Sequence, residues 1–126
     1  MNELSQNPPR KRMNWQQASR EAENRVSMML QMVAEMEIQT GSRPKSVPLI
    51  DYPTREDYKS ILGENPGYDW EEHSMINKAT QRLLKRQKLK ACMIQFHTKP
   101  YFEWCKRNDR NNTAGDRAEY ACLSNA

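Results

Sequence analysis

The sequence predicts a small all-α protein, and three observations lead there. Apolar residues recur at spacings of three and four over Trp15, Ala18, Ala22, Val26, Met29, Val33 and Met36, then over Met75, Ile76, Ala79, Leu83 and Leu84, and again over Leu89, Cys92, Met93 and Phe96, which is the period of one helix face. Asn14, Thr54, Asp69 and Thr113 stand where each can cap a following helix. No segment of useful length carries the period of two that a half-buried strand requires.

Taken in order, residues 1–13 hold two prolines and the run Arg10, Lys11, Arg12 with almost nothing to bury, and read as a flexible basic arm that also suits nucleic acid. Residues 14–40 form an amphipathic helix that Gly41 ends. Its seam is small and rich in Met, a side chain that adapts to irregular surfaces. That seam either packs on its own domain or pairs with a partner helix, including a homodimer through Trp15 to Met36. Residues 41–68 are a Pro-rich connector with a short helix. The stretch from Thr40 to Pro53 contains three prolines, which oppose helix and central strand alike, and the brief helix follows Thr54, with Tyr58, Ile61 and Leu62 on its apolar side.

Residues 69–126 read as a basic helical unit. Asp69 caps a helix whose acidic first turn, Glu71 and Glu72, complements the helix dipole. Two continuations are open: one helix from Trp70 to Phe96, or a kink near Gln87. Pro100 suits a first helical turn, which places a helix from about Pro100 to Asn108. After the polar turn Asp109 to Asn112, Thr113 and Asp116 have capping-box spacing for a last helix carrying Ala118, Ala121 and Cys122.

The chain has 126 residues, 37% hydrophobic and 29% charged, with a mean hydropathy of −1.05. This fits one small domain with a modest core and long solvated faces. No apolar run approaches the roughly 18 residues that cross a bilayer, and the opening MNELSQNPPRKR lacks the apolar stretch of a signal peptide. The expectation is a cytoplasmic protein with no membrane partner. Cys92, Cys105 and Cys122 form no close pair, so they suggest neither a disulfide framework nor a metal knuckle, and read as small core residues. The three tryptophans, Trp15, Trp70 and Trp104, read as area buried at helix contacts.

The net charge of +4 is unevenly placed. Nine basic residues against two acidic ones fall between Arg82 and Arg110, a local +7 that leaves −3 for the remainder. Such a block is the electrostatic footprint of a surface that meets phosphate, or else a solvated helix face. Within it, basic helix, HTKP turn, aromatic helix YFEWCKRN, polar turn DRNN and small-residue helix TAGDRAEYACL have the dimensions of a helix-turn-helix. Arg82, Lys85, Arg86, Lys88, Lys90, Lys106, Arg107 and Arg110 are then the candidate phosphate contacts. Asn111, Asn112, Thr113 and Arg117 lie near the groove, where Asn and Arg can read adenine and guanine. Asp109 stands where such turns need a left-handed residue. A plain helical hairpin completing a small core is the alternative.

The segment WEEHSMINKATQRLLKRQKLKACMIQFHTKPYFEWCKRN with the turn and helix after it resembles, over residues 69–123, the carboxy-terminal part of phage late-gene antiterminators of the Q type and, more loosely, sigma-factor region 4. The resemblance implies a DNA-binding transcription regulator acting in antitermination. It implies duplex DNA and RNA polymerase as partners, with Lys106, Arg107, Arg110, Asn111, Asn112 and Arg117 at the DNA-facing positions. The second reading is an adaptor or inhibitor that docks on a host protein through the Met-rich helix and the basic surface.

Material for catalysis is thin. His73 and His97 lie 24 residues apart, and no GxGxxG, P-loop or HExxH motif occurs. Asp69, Glu71, Glu72 and His73 have the chemistry to ligate a cation, but an acidic first turn is more often a cap. The expectation is a non-enzymatic protein without metal or cofactor.

Overall fold

A computed structural model of the chain describes residues 12–64 and 66–125. The elements run α1 (Trp15–Thr40), β1 (Ser46–Asp51), α2 (Arg55–Leu62), α3 (Trp70–Arg86), β2 (Lys90–Gln95), α4 (Thr98–Arg107) and α5 (Ala114–Ser124). The protein is mostly helical, as the spacing predicts, but the all-α expectation is corrected in two places. Residues 46–51, expected as part of a proline-rich loop, and residues 90–95, expected as helix, are strands that pair in parallel from Ser46 opposite Lys90 to Asp51 opposite Gln95.

Local chemistry sets the helix starts. Asn14 with Gln17, Asp69 with Glu72 and Thr113 with Asp116 form reciprocal capping boxes, and the Thr54 side chain accepts from the Asp57 amide. The fourth helix begins earlier than Pro100 because α2 supplies its cap: the Asp57 carboxylate accepts from the Thr98 amide at 2.9 Å and its hydroxyl at 2.6 Å. These bonds, the Thr98 hydroxyl first, hold the Asp57 carboxyl below the usual carboxylate range.

The third helix stops because the chain turns left-handed at Lys88, with φ of 60°. The Lys88 amide bonds the Lys85 carbonyl and the Leu89 amide reaches back to the Leu84 carbonyl, both at 3.0 Å. This is a Schellman motif with Lys where Gly is usual, locked by Leu84 and Leu89 in one buried cluster. The same device closes α4: Asp109 has φ of 55°, and the Arg110 amide bonds the Cys105 carbonyl at 2.8 Å.

The two-stranded sheet divides the core. Val47, Leu49, Ala91 and Met93 face one side, with Val26 and Val33 of α1 and Leu84 of α3. Ile50, Tyr52, Cys92, Ile94 and Phe96 face the other, with Tyr58 and Ile61 of α2, Tyr101 and Cys105 of α4 and Ala121 of α5. The alternation of two is present, but both sides are apolar and covered, so no polar residue marks it.

The inward seam of α1 packs on its own domain: Ala18, Ala22, Val26 and Val33 are buried, whereas Met28, Met32 and Met36 are exposed. Trp15, expected at a buried contact, is 46% exposed and lies under the Arg82 guanidinium, 5.4 Å from its ring centroid. Of the cysteines expected in the core, Cys105 is buried, Cys92 half-buried and Cys122 exposed. The expected basic arm lies mostly outside the described residues. Its last positions are tied down: Arg12 pairs with Asp69 and Glu71, and the Met13 amide donates to Glu72.

The outer edge of β1 is closed by side chains. Lys90 donates to Lys45 and Phe96 to Asp51, so odd residues of β1 bond β2 while Pro48 directs its missing donor outward, where no ladder bond is lost. The outward Ile50 carbonyl accepts from Asn77 at 2.8 Å and His73 Nε2 at 3.0 Å, and Trp70 Nε1 donates to Tyr52 at 2.8 Å.

The burial of His73 at this edge makes stability pH-dependent. Burial, more than the nearby Arg25 charge, holds the His73 imidazole below its ordinary 6.5, against the opposing pull of Asp51 and the Ile50 bond. The unfolded chain therefore binds a proton there first as pH falls through about 6.5, and stability declines below that point. The urea midpoint is expected to drop between pH 7.5 and 5.5 and to drop less in His73→Gln; equal slopes in both proteins would contradict this.

Candidate nucleic-acid interface

The carboxy-terminal turn of α3 and the start of β2 carry Lys85, Arg86, Lys88 and Lys90, all exposed. Strand pairing brings two further cations to the same end. The Lys90 amide donates to the Lys45 carbonyl at 3.1 Å, and Arg43 donates to the Gln87 carbonyl at 3.0 Å. Neither Arg43 nor Lys45 stands out in the sequence, where they flank Pro44, 38 residues before Arg82. None of the six makes an ion pair among the described residues.

Magnitudes decide the sign of this end. The carbonyl termini of α1 and α3 together amount to roughly one negative charge, and Glu35 and Glu37 on the last turns of α1 add two. Six cations leave a clear positive excess. Arg82 belongs to a different neighbourhood, since its guanidinium is drawn over Trp15.

The other expected contacts divide into exposed and inward groups. Lys106 and Arg107 are exposed on the last turn of α4 without an ion pair among the described residues. Arg110 is neutralised, its guanidinium making two bonds of 2.9 Å to the Glu119 carboxylate. Asn111 is exposed, its backbone N–H donating to the Asp116 carboxylate. Thr113 is the cap of α5.

Asn112 is a structural hub. Its side-chain oxygen accepts from the Tyr101 hydroxyl at 2.8 Å and from Arg117 at 3.1 Å, and its amide donates to the Ile61 carbonyl at 2.7 Å. Arg117 also donates to the Asn112 carbonyl at 2.8 Å. The connection between α4 and α5 runs over residues 108–113, longer than the three or four residues of a tight helix-turn-helix. At the start of α5 the exposed positions are Ala114, Gly115 and Ala118, which offer no side-chain hydrogen bond to a base edge.

The groups considered for chemistry have structural partners. Asp69 and Glu72 cap α3, Glu71 pairs with Arg12 and Arg55 at 3.2 and 2.9 Å, and His73 faces the sheet edge. Among the described residues no group of three or more His, Cys, Asp or Glu could hold a metal ion, and no helix is long and apolar enough to cross a membrane.

In comparison with known proteins, no family model and no curated protein sequence matches the chain. Its class rests on what it presents itself: a mostly helical protein with a two-stranded parallel sheet and a strongly basic end.

Proposed function

We propose that the chain binds duplex DNA through its phosphates, with Arg43, Lys45, Lys85, Arg86, Lys88 and Lys90 as the primary contact and Lys106, Arg107 and Asn111 as secondary contacts. The reading is carried by one observation: pairing of β1 with β2 collects cations from two distant parts of the chain at one exposed end. Phosphate contact is favoured over base reading because Asn112 and Arg117, the side chains suited to base edges, are bonded to each other and to the core. Transcription regulation of the antiterminator kind, with contact to RNA polymerase, is the cellular role that the resemblance over residues 69–123 adds. The proposal is a cytoplasmic binding protein with no catalytic step and no cofactor.

A duplex gel-shift titration across salt tests it. Each phosphate neutralised contributes roughly −0.9 to the slope of log affinity against log salt, so four to six contacts give about −4 to −5. Absence of binding at low salt overturns the proposal.

A second reading, an adaptor or inhibitor docking on a host protein, is favoured by the outer face of α1. Met28, Met32 and Met36 lie one turn apart and are 66, 60 and 47% exposed, a stripe of adaptable apolar side chains. Charged residues at Met28 and Met32 abolish such docking with helicity retained, whereas charging the buried Val33 unfolds the domain.

A further inference from the structure

The two edges of the sheet are treated differently. Along β1, Pro48 removes a donor and α3 side chains cover the Ile50 and Tyr52 carbonyls. Along β2, the ladder turns Lys90, Cys92, Ile94 and Phe96 inward, so Ala91, Met93 and Gln95 direct three N–H and three C=O groups outward. Among the described residues these six groups have no hydrogen-bond partner. Gln95 is exposed, and Ala91 and Met93 are half-buried. The strand KACMIQ has no proline or glycine, its register is unbroken, and Lys90 is its only charge. Open edges of this kind template pairing unless blocked.

We propose that a second copy of this chain docks on that edge, β2 against β2 in antiparallel sense about a twofold axis at Met93, joining two sheets into one of four strands. The sequence is self-complementary in this register. Met93 faces the second copy's Met93, and Ala91 faces the second copy's Gln95, so every outward group meets an outward group and six hydrogen bonds form between copies. A shift of one residue would set outward groups against inward ones. On the face towards α4 and α5, Cys92 lies opposite the second copy's Ile94, an apolar pair that occurs twice by symmetry. Lys90 lies opposite the second copy's Phe96, so no like charges face each other. Any extended peptide could form the backbone bonds; the match of side chains selects this strand itself. An isolated two-stranded sheet is marginal, and pairing covers the edge that is open among the described residues. The inference is independent of DNA binding.

Sedimentation of the full chain over a concentration series, in 0.5 M salt to screen the basic ends, tests the proposal. The expected species is a reversible dimer of twice the 14.9 kDa chain mass. Gln95→Pro removes an outward donor and puts a ring into the shared edge. Inside the protomer it sacrifices the side-chain bond from Gln95 to Asp51 and no ladder bond. It is expected to be monomeric with an unchanged far-UV spectrum, while Met32→Asp, on the exposed stripe of α1, remains dimeric. A monomer at every concentration overturns the proposal, as does a dimer that survives Gln95→Pro or that Met32→Asp abolishes. Should Gln95→Pro fail to fold, amide exchange of the unmodified protein decides: the Met93 and Gln95 amides must slow on the order of 10-fold or more from dilute to concentrated solution, and unchanged rates reject the edge.

Discussion

Asn112→Ala is expected to lower the stability of the fold by about 3 to 4 kcal/mol. The substitution strands the hydroxyl of Tyr101, which has no exposed surface, and the carbonyl of Ile61, each of which loses its bond to the amide. A buried polar group left unsatisfied costs about 1 to 3 kcal/mol. Asn112 also sits at φ of 57°, where Asn is tolerated and Ala adds about 1 kcal/mol of strain. Asn112→Asp keeps the acceptor for Tyr101 and Arg117 but loses the bond to Ile61, so its effect is intermediate. Urea titration of the three proteins measures the order. A base-contacting Asn112 makes the opposite demand, namely DNA affinity lost and stability kept; a loss of stability below about 1 kcal/mol for Asn112→Ala would support that role.

Asn112 also marks the limit of what could be read from the residues alone. Four of the five helix starts were legible because their causes are local: Asn14, Thr54, Asp69 and Thr113 each bond within three residues, whereas the start of α4 is set by Asp57, 41 residues before Thr98. The end of α3 was legible only as one of two continuations, the break near Gln87, since the left-handed position that usually announces itself as Gly is held by Lys88, and what fixes it is the contact of Leu84 with Leu89. From there β2 was hidden by its own burial. Cys92 and Ile94 serve one core while Ala91 and Met93 serve the other, leaving an apolar run that also satisfies helical spacing. Pro48 disguised β1, because whether a strand proline is disruptive depends on which edge it faces. Of the basic residues, Lys85, Arg86, Lys88 and Lys90 were legible as a run. Arg43 and Lys45 join them only through strand register, and Arg110 is withdrawn by Glu119, nine residues on and across a turn.

That register supplies the sharpest test of the DNA reading. Lys45→Glu with Lys90→Glu reverses two charges at the heads of the paired strands, Lys45 just before β1 and Lys90 first in β2, where the backbones touch, at exposed positions that make no ion pair among the described residues, so the fold is expected to keep its stability within about 0.5 kcal/mol. Duplex affinity should fall by on the order of 10-fold or more at 0.1 M salt, and the salt slope should become shallower by about two units, one for each phosphate that is no longer neutralised. Lys106→Glu with Arg107→Glu carries the same change of charge to the end of α4. If the basic end is the primary contact, this second pair weakens binding less. If α4 and α5 dock as a helix-turn-helix, the order of the two double variants inverts. The comparison holds net charge constant, so a difference between them reports where phosphate sits and not how positive the protein is. Equal reductions in affinity, with equal slopes, would mean that DNA meets the whole charge and neither end in particular.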